Sequence, residues 1–266
     1  MSKKIGFIGC GNMGSAMVGG LIKSGFVTAD DIIVSTKTEA SSKKLEEEFK
    51  ITTTLDSRLV AKESETVILA VKPNMYKSIV EEVKNELTKD KLIITIAAGI
   101  EISDMEEWLG ENFKIIRTMP NTPALVGEAI SAVCPNKNVS EEGLQYCINI
   151  FESFGECEVL EEKYFDGFIA VAGSSPAYVF MFIEAMADGA VKLGIPRAKA
   201  YKMAAQSVLG SAKMVLDTGK HPGELKDMVC SPGGTTIEAV RVLEQKGFRS
   251  AVIEAMKACA EVSRNL

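Results

Sequence analysis

The chain of 266 residues has one histidine, His221, and one tryptophan, and its six cysteines, at positions 10, 134, 147, 157, 230 and 259, include no CxxC pair. No His/Cys cluster of the kind that holds zinc exists, so no metal is expected and the cysteines read as reduced, mostly packed thiols. Nor is there an excess of positive charge, since 30 Lys and Arg against 36 Asp and Glu leave a net charge of -6. Surfaces for nucleic acid or anionic membrane need basic patches that neutralise phosphate. The expected partner is therefore a small molecule, with no nucleic acid and no membrane. No apolar run reads as long enough for a membrane span, and the apolar stretch near the start is short and broken by glycines, unlike a secretory h-region. These absences predict a cytoplasmic protein. Internal repeats and low-complexity segments are missing too.

What is present suffices for packed cores: 46% of residues are hydrophobic, and the length suits about two domains. Short apolar, β-branched runs alternate with helix-like segments through the first part: "KIGFIG", "DIIVS", "FKITTT", "TVILAV", "LIITIA", "FKIIRTM", "AISAVCP" and "ECEVL". That rhythm predicts an α/β fold with a mostly parallel sheet and crossover helices. Around Leu69 and Ile94 the strands are apolar throughout, as expected when both faces of a sheet are covered. From about Lys163 long helical stretches take over, "PAYVFMFIEAMADGAVKLG", "RAKAYKMAAQSVLGSAKMVLD" and "SAVIEAMKACAEVSR", separated by "GIPR" and "TGKHPGE". Residues 1–162 are thus expected to form an α/β domain and residues 163–266 an all-helical one. Val179, Phe180, Phe182, Ile183 and Met186 leave little room for a polar helix face. Either a dimer interface buries them or the helix runs through the centre of its own domain.

The run "IGFIGCGNMGSAM" places Gly9, Gly11 and Gly14 in a GxGxxG pattern between a strand and a helix, the context that makes it a dinucleotide fingerprint. Gly9 permits the tight turn, Gly11 lets backbone approach a pyrophosphate, and Gly14 allows close packing of helix on sheet. About 20 residues on, where NAD enzymes place Asp or Glu for the ribose hydroxyls, stand Ser35, Thr36 and Lys37. Their hydroxyls and ammonium suit a 2′-phosphate and favour NADPH, with NADH still open. The other reading leaves Lys37 on a solvated loop and gives the ribose to Glu39. Three more segments end strands on the ligand side: "AVKPNM" at 70–75, "IAAGI" at 96–100 and "RTMPNTPAL" at 117–125. Together they are expected to line a crevice.

Conventional catalytic groups are nearly absent. His221, in "GKHPGEL", could serve as an acid or simply hold a loop. In "SPGGTTIEAV", Thr235 with Glu238 fits a capping box, which would set Thr236 at the first helical position. Such a helix start either binds a carboxylate or is only capped.

Through "FIGCGNMG", "AVKP", "RTMPNTPA", "AGSSPAY", "HPGELKD" and "SPGGTTIEA", in that order, the chain resembles the Δ1-pyrroline-5-carboxylate reductases, enzymes of the last step of proline synthesis. The resemblance implies that NAD(P)H reduces the cyclic imine to proline. It also implies an N-terminal NADP-binding Rossmann-like domain and a helical dimerisation and substrate domain that interlocks with a second subunit, the homodimers assembling into larger rings. Residue by residue, it gives Thr236 the ring nitrogen and Ser231 with Gly234, Thr235 and Thr236 the substrate carboxylate, with Val229 lining the ring. Cofactor contacts fall on Ile8, Gly9, Cys10, Gly11, Asn12, Met13 and Gly14, on Ser35 with Thr36 and Lys37, on Ala70, Val71, Lys72 and Pro73, and on Ile96, Ala97 and Ala98. A protonated imine is already electrophilic, so positioning does much of the work and no tuned histidine is needed. Two departures stand out: Ala172 and Ser175 where many members have Ser and Gly, and Ser57 where an Asn is common.

Two other classes share the first half. A β-hydroxyacid dehydrogenase would carry a lysine after its Gly-rich motif, and "VAGSSPAYVFMFIE" has none. A non-catalytic NADP(H) sensor would have no need of the "SPGGTT" turn.

Overall fold

The computed structural model describes residues 3–265. All eight expected strands form: β1 (Lys3–Ile8), β2 (Ile32–Ser35), β3 (Thr52–Thr54), β4 (Ser64–Leu69), β5 (Leu92–Thr95), β6 (Lys114–Met119), β7 (Ala129–Pro135) and β8 (Gly155–Val159). They join in one sheet of order β3-β2-β1-β4-β5-β6-β7-β8. Only β6 and β7 pair antiparallel; the rest run parallel. Between strands lie α1 (Asn12–Lys23), α2 (Glu39–Phe49), α3 (Ser57–Glu63), α4 (Tyr76–Val83), α5 (Ile102–Leu109) and α6 (Glu141–Glu152).

Alternation of side chains along each strand sends neighbouring residues to opposite faces, and both faces here are apolar. Ile5, Phe7, Val34, Ile68, Ile94 and Ile116 belong to one buried cluster with Met17, Leu21, Ile150 and Phe151 of α1 and α6. Ile8, Ile33, Val67, Leu69, Ile93 and Ile115 belong to the other, with Val60, Val80 and Met105 of α3, α4 and α5. The uninterrupted apolar strands are the sequence form of a sheet covered twice.

From β1 the chain goes first to β2 on one side and later to β4 on the other. At such a reversal the loops beyond the strand ends part, and ligands of open α/β sheets bind there.

After β8 come α7 (Phe165–Phe168), a π-helical turn at Ile169–Gly173, α8 (Ser175–Lys192), α9 (Arg197–Thr218), α10 (Pro222–Val229), α11 (Thr235–Gln245) and α12 (Phe248–Ser263). The compact units divide at Gly173/Ser174, and the residues from Cys259 onward group with the first unit. The 162/163 division expected from the helical rhythm marks where the helices begin, and the segment from there to Gly173 is held by the first unit. Phe165, Phe168 and Ala172 pack with Ala132 and Cys134 of β7, and Ser263 donates to Asp166 at 2.7 Å. The buried Arg117 of β6 completes the join: its Nη1 donates to Glu162 at 2.9 Å, and its guanidinium lies 4.6 Å from the centre of the Phe165 ring.

In the second unit α8 buries only Ala187, while Phe180 and Met181 are 64% and 70% exposed. A path through the centre of its own domain is therefore not the use of this helix. By length and composition the helical run Glu162–Lys192 would suffice to cross a membrane, which corrects the expectation that no apolar run is long enough. Gly173, Ser174 and Ser175 break the purely apolar residues of this run, although no charge lies between 167 and 183.

Arg117→Ala would take from the half-buried Glu162 carboxylate its only charged partner at hydrogen-bond distance among the described residues, leaving it the Ile102 N–H at 2.8 Å. Urea unfolding should show a loss of about 3 kcal/mol; a loss below about 1 kcal/mol would mean that the pair does not hold Glu162–Gly173 to the sheet.

Candidate active site

Loops after β1, β4 and β5 border an open cavity of about 310 Å³, lined by Gly11–Gly14, Ala70–Pro73 and Ile96–Ala98. The glycines make it possible. Gly9 has φ +80°, and a Cβ there would stand 2.6 Å from Val71 Cγ1 and 2.9 Å from the Ala70 carbonyl oxygen. Its N–H donates to the Ser35 carbonyl at 2.9 Å, while Ala70 N–H donates to the Ile8 carbonyl at 2.8 Å. At Gly11, the N-cap of α1, a Cβ would meet nothing within 4 Å, so backbone is open to the cavity. A Cβ on buried Gly14 would lie 3.2 Å from Cys10 Sγ and 3.5 Å from Ala70 Cβ, the close approach its position requires.

Helix α1 begins without a side-chain cap and without an acid in its first turn. By contrast, α2 is capped by Thr38, α3 by Asp56 and α6 by Ser140, while α4 and α7 continue directly from 3-10 turns. The first-turn N–H groups of α1 and the positive end of its dipole are thus left for an anion. A dinucleotide pyrophosphate fits this cradle. Cys10, expected as a cofactor contact, does not line the cavity but packs half-buried against the core, 3.6 Å from Ser15 Oγ, and burial pushes its thiol up to about 11, so it stays neutral.

Not every expected contact faces the cavity. Ile8 is fully buried in the core beneath it. Ser35 and Thr36 are buried as well: Ser35 Oγ lies 3.2 Å from Ser57 Oγ, and Thr36 Oγ1 donates to the Thr38 carbonyl and lies 2.7 Å from Ser42 Oγ. Lys37 is exposed, and Glu39 occupies the first turn of α2, where a carboxylate favours the helix.

The segment 117–125 does not line this cavity, contrary to the expectation that three segments would. It follows β6, one strand beyond the loops that converge on the reversal. Asn121 is buried there and bridges two pieces of backbone: its Nδ2 donates to the Ala172 carbonyl at 3.0 Å and its Oδ1 accepts from Ile130 N–H at 3.0 Å. Its place between Pro120 and Pro123 was the available signal for such a bracket, which the motif reading passed over.

In the second unit, Ser231–Gly234 forms a turn closed by Gly234 N–H donating to the Ser231 carbonyl at 3.0 Å. Gly233 has φ +68°, a conformation that favours glycine, and a Cβ on Gly234 would lie 2.3 Å from Ser231 Oγ, which would have to turn aside. The N-cap of α11 is Gly234, not Thr235. Thr235 and Thr236 are therefore its first and second residues, and the capping box does not form. Glu238 instead accepts from Arg241 at 2.7 and 2.9 Å, a pairing that holds its carboxyl below the usual range. Like α1, α11 starts on glycine with no side-chain cap. Thr236 is half-buried there, whereas Val229, Ser231 and Thr235 are exposed. His221 caps α10, its Nδ1 accepting from Gly223 N–H at 3.1 Å, which gives it the structural role.

The two loop glycines can be separated by thermal unfolding. Gly9→Ala should cost more than about 2 kcal/mol through left-handed strain and the Val71 clash, and Gly11→Ala less than about 1 kcal/mol. Equal losses would contradict the open environment of Gly11.

Comparison with known proteins agrees with both halves. Residues 162–266 match the family described as "Pyrroline-5-carboxylate reductase dimerisation", and residues 4–99 match "NADP oxidoreductase coenzyme F420-dependent". A pyrroline-5-carboxylate reductase of Escherichia coli is 55% identical over 266 residues, covering 100% of this chain and 99% of its own. The solved structure of a pyrroline-5-carboxylate reductase from Coxiella burnetii superposes with a TM-score of 0.92 at 34% identity, covering 100% of this chain and 98% of that one. A pyrroline carboxylate reductase from Plasmodium falciparum, solved with NADP bound, gives 0.90 at 33% identity over 99% of this chain and 97% of that one. With the cavity, the open helix start and full-length identity in agreement, the chain belongs to the pyrroline-5-carboxylate reductase family.

Proposed function

We propose that the chain reduces L-Δ1-pyrroline-5-carboxylate to L-proline, with NADPH as preferred hydride donor and NADH as the weaker one. The observation that carries this reading is the 55% identity, without truncation, to a reductase of that name. Bound in the cavity of the first unit, NADPH would supply the hydride to the imine carbon. The first-turn N–H groups of α1 hold the pyrophosphate, and Ala70–Pro73 and Ile96–Ala98 wall in the rest of the dinucleotide. Ser35 and Thr36 have their hydroxyls engaged locally, so they shape the turn. The exposed Lys37 is the group that meets the 2′-phosphate.

On the substrate side, the uncapped start of α11 holds the carboxylate through the backbone of Gly234–Thr236, with the Ser231 hydroxyl beside it. Val229 offers an apolar wall to the ring. Thr236 Oγ1 takes the catalytic position, orienting the ring nitrogen or relaying its proton. A neutral hydroxyl suffices because the protonated imine is already activated.

The exposed apolar residues of α8 and α9, including Phe180, Met181, Met203 and Leu209, support a homodimer built through the second unit, and a larger ring assembled from such dimers. Burial there gives the apolar run of α8 a partner other than lipid. The net charge of -6 supports a cytoplasmic enzyme with no nucleic-acid or membrane partner.

The test is NADPH oxidation by purified protein with pyrroline-5-carboxylate, repeated with NADH and with a β-keto acid. Turnover of the imine alone supports the reductase; NADPH binding without turnover would favour a sensor. Thr236→Ala should lower kcat/KM by about 100-fold with NADPH affinity unchanged, and an unaltered rate would remove Thr236 from the mechanism. Lys37→Ala should raise KM for NADPH about tenfold and leave NADH unaffected; equal effects on both would refute the phosphate contact.

A further inference from the structure

Tyr76, the first residue of α4, is fully buried and ties two strand ends together. Its O–H donates to the Leu69 carbonyl at 2.5 Å, and its oxygen accepts the Ile96 N–H at 3.2 Å. Leu69 and Thr95 are the final register partners of β4 and β5. Where the ladder stops, the phenol continues the connection. The residues next along both strands, Ala70–Pro73 and Ile96–Ala98, are two of the three walls of the cavity. Burial pushes the phenol far above its ordinary range, so its proton stays available to the Leu69 carbonyl.

We propose that Tyr76 is a positioning residue for the dinucleotide, setting the gap between the β4 and β5 loops through its two backbone hydrogen bonds. The inference rests on NADPH being the occupant of this cavity. Removing the oxygen while keeping the ring preserves most of the packing but takes the acceptor from Ile96 N–H and a donor from Leu69. Both loops then lose a shared anchor, so the effect falls on cofactor affinity. The hydride step and the imine site in the second unit are untouched.

The experiment is Tyr76→Phe, with NADPH binding measured by calorimetry and steady-state kinetics on the same protein. Kd and KM for NADPH should rise about tenfold, the size of effect a lost buried hydrogen bond carries. The kcat and the KM for the imine should stay within about twofold of wild type. Normal wild-type binding with Kd unchanged in the variant, even at a lowered Tm, would overturn the positioning role alone. No NADPH binding by the wild type would overturn the functional reading and this inference with it. If the variant does not fold, amide exchange of the wild-type protein decides. The Ile96 N–H should exchange as slowly as those within β5 in the absence of cofactor, and fast exchange would overturn the bridge.

Discussion

Burial of the sheet on both faces is the constraint on which the rest depends. Strands such as Ile32–Ser35 and Leu92–Thr95 have no polar side to offer water, so helices must cover both faces and consecutive parallel strands must be joined by crossovers. The order β3-β2-β1-β4 then follows from filling first one side of β1 and next the other. That reversal leaves the loops after β1, β4 and β5 to converge on one cavity. Its apolar floor is the core itself, as the burial of Ile8 and Tyr76 shows.

On this frame, the groups left open at the two proposed sites are mostly backbone. Helix α1 begins at Gly11 with no side-chain cap and no acid in its first turn, unlike α2, α3 and α6. The same device recurs at Gly234 in the second unit, where Ser231 and Gly233 shape the turn. An enzyme that positions an already reactive imine needs held amides more than it needs titrating side chains. The near absence of histidine and the capping role of the one present agree with that economy.

Much of this was legible in the residues because the relevant constraints are local. Apolar β-branched runs announced all eight strands, and Gly9 was readable because only glycine tolerates its φ beside Val71. What escaped was set by competing local partners or by groups distant in sequence. The spacing of Thr235 and Glu238 suits a capping box, yet the Ser231–Gly234 turn moves the N-cap one residue earlier and Arg241 takes the carboxylate. "RTMPNTPAL" ends a strand like its neighbours, but strand order puts it outside the cavity. The hold of Glu162 and Phe165 on the sheet runs through Arg117, a contact that helical rhythm cannot report. Tyr76 occupies an ordinary apolar position in its helix, and nothing local marks its oxygen as a bridge between β4 and β5.

The most direct measurement is amide hydrogen exchange across residues 9–17, with and without saturating NADPH. If the open start of α1 holds the pyrophosphate, the N–H groups of Asn12, Met13 and Gly14 should slow markedly on binding. Calorimetric binding of NADPH with no change in this segment would contradict the assignment of the cavity as the cofactor site.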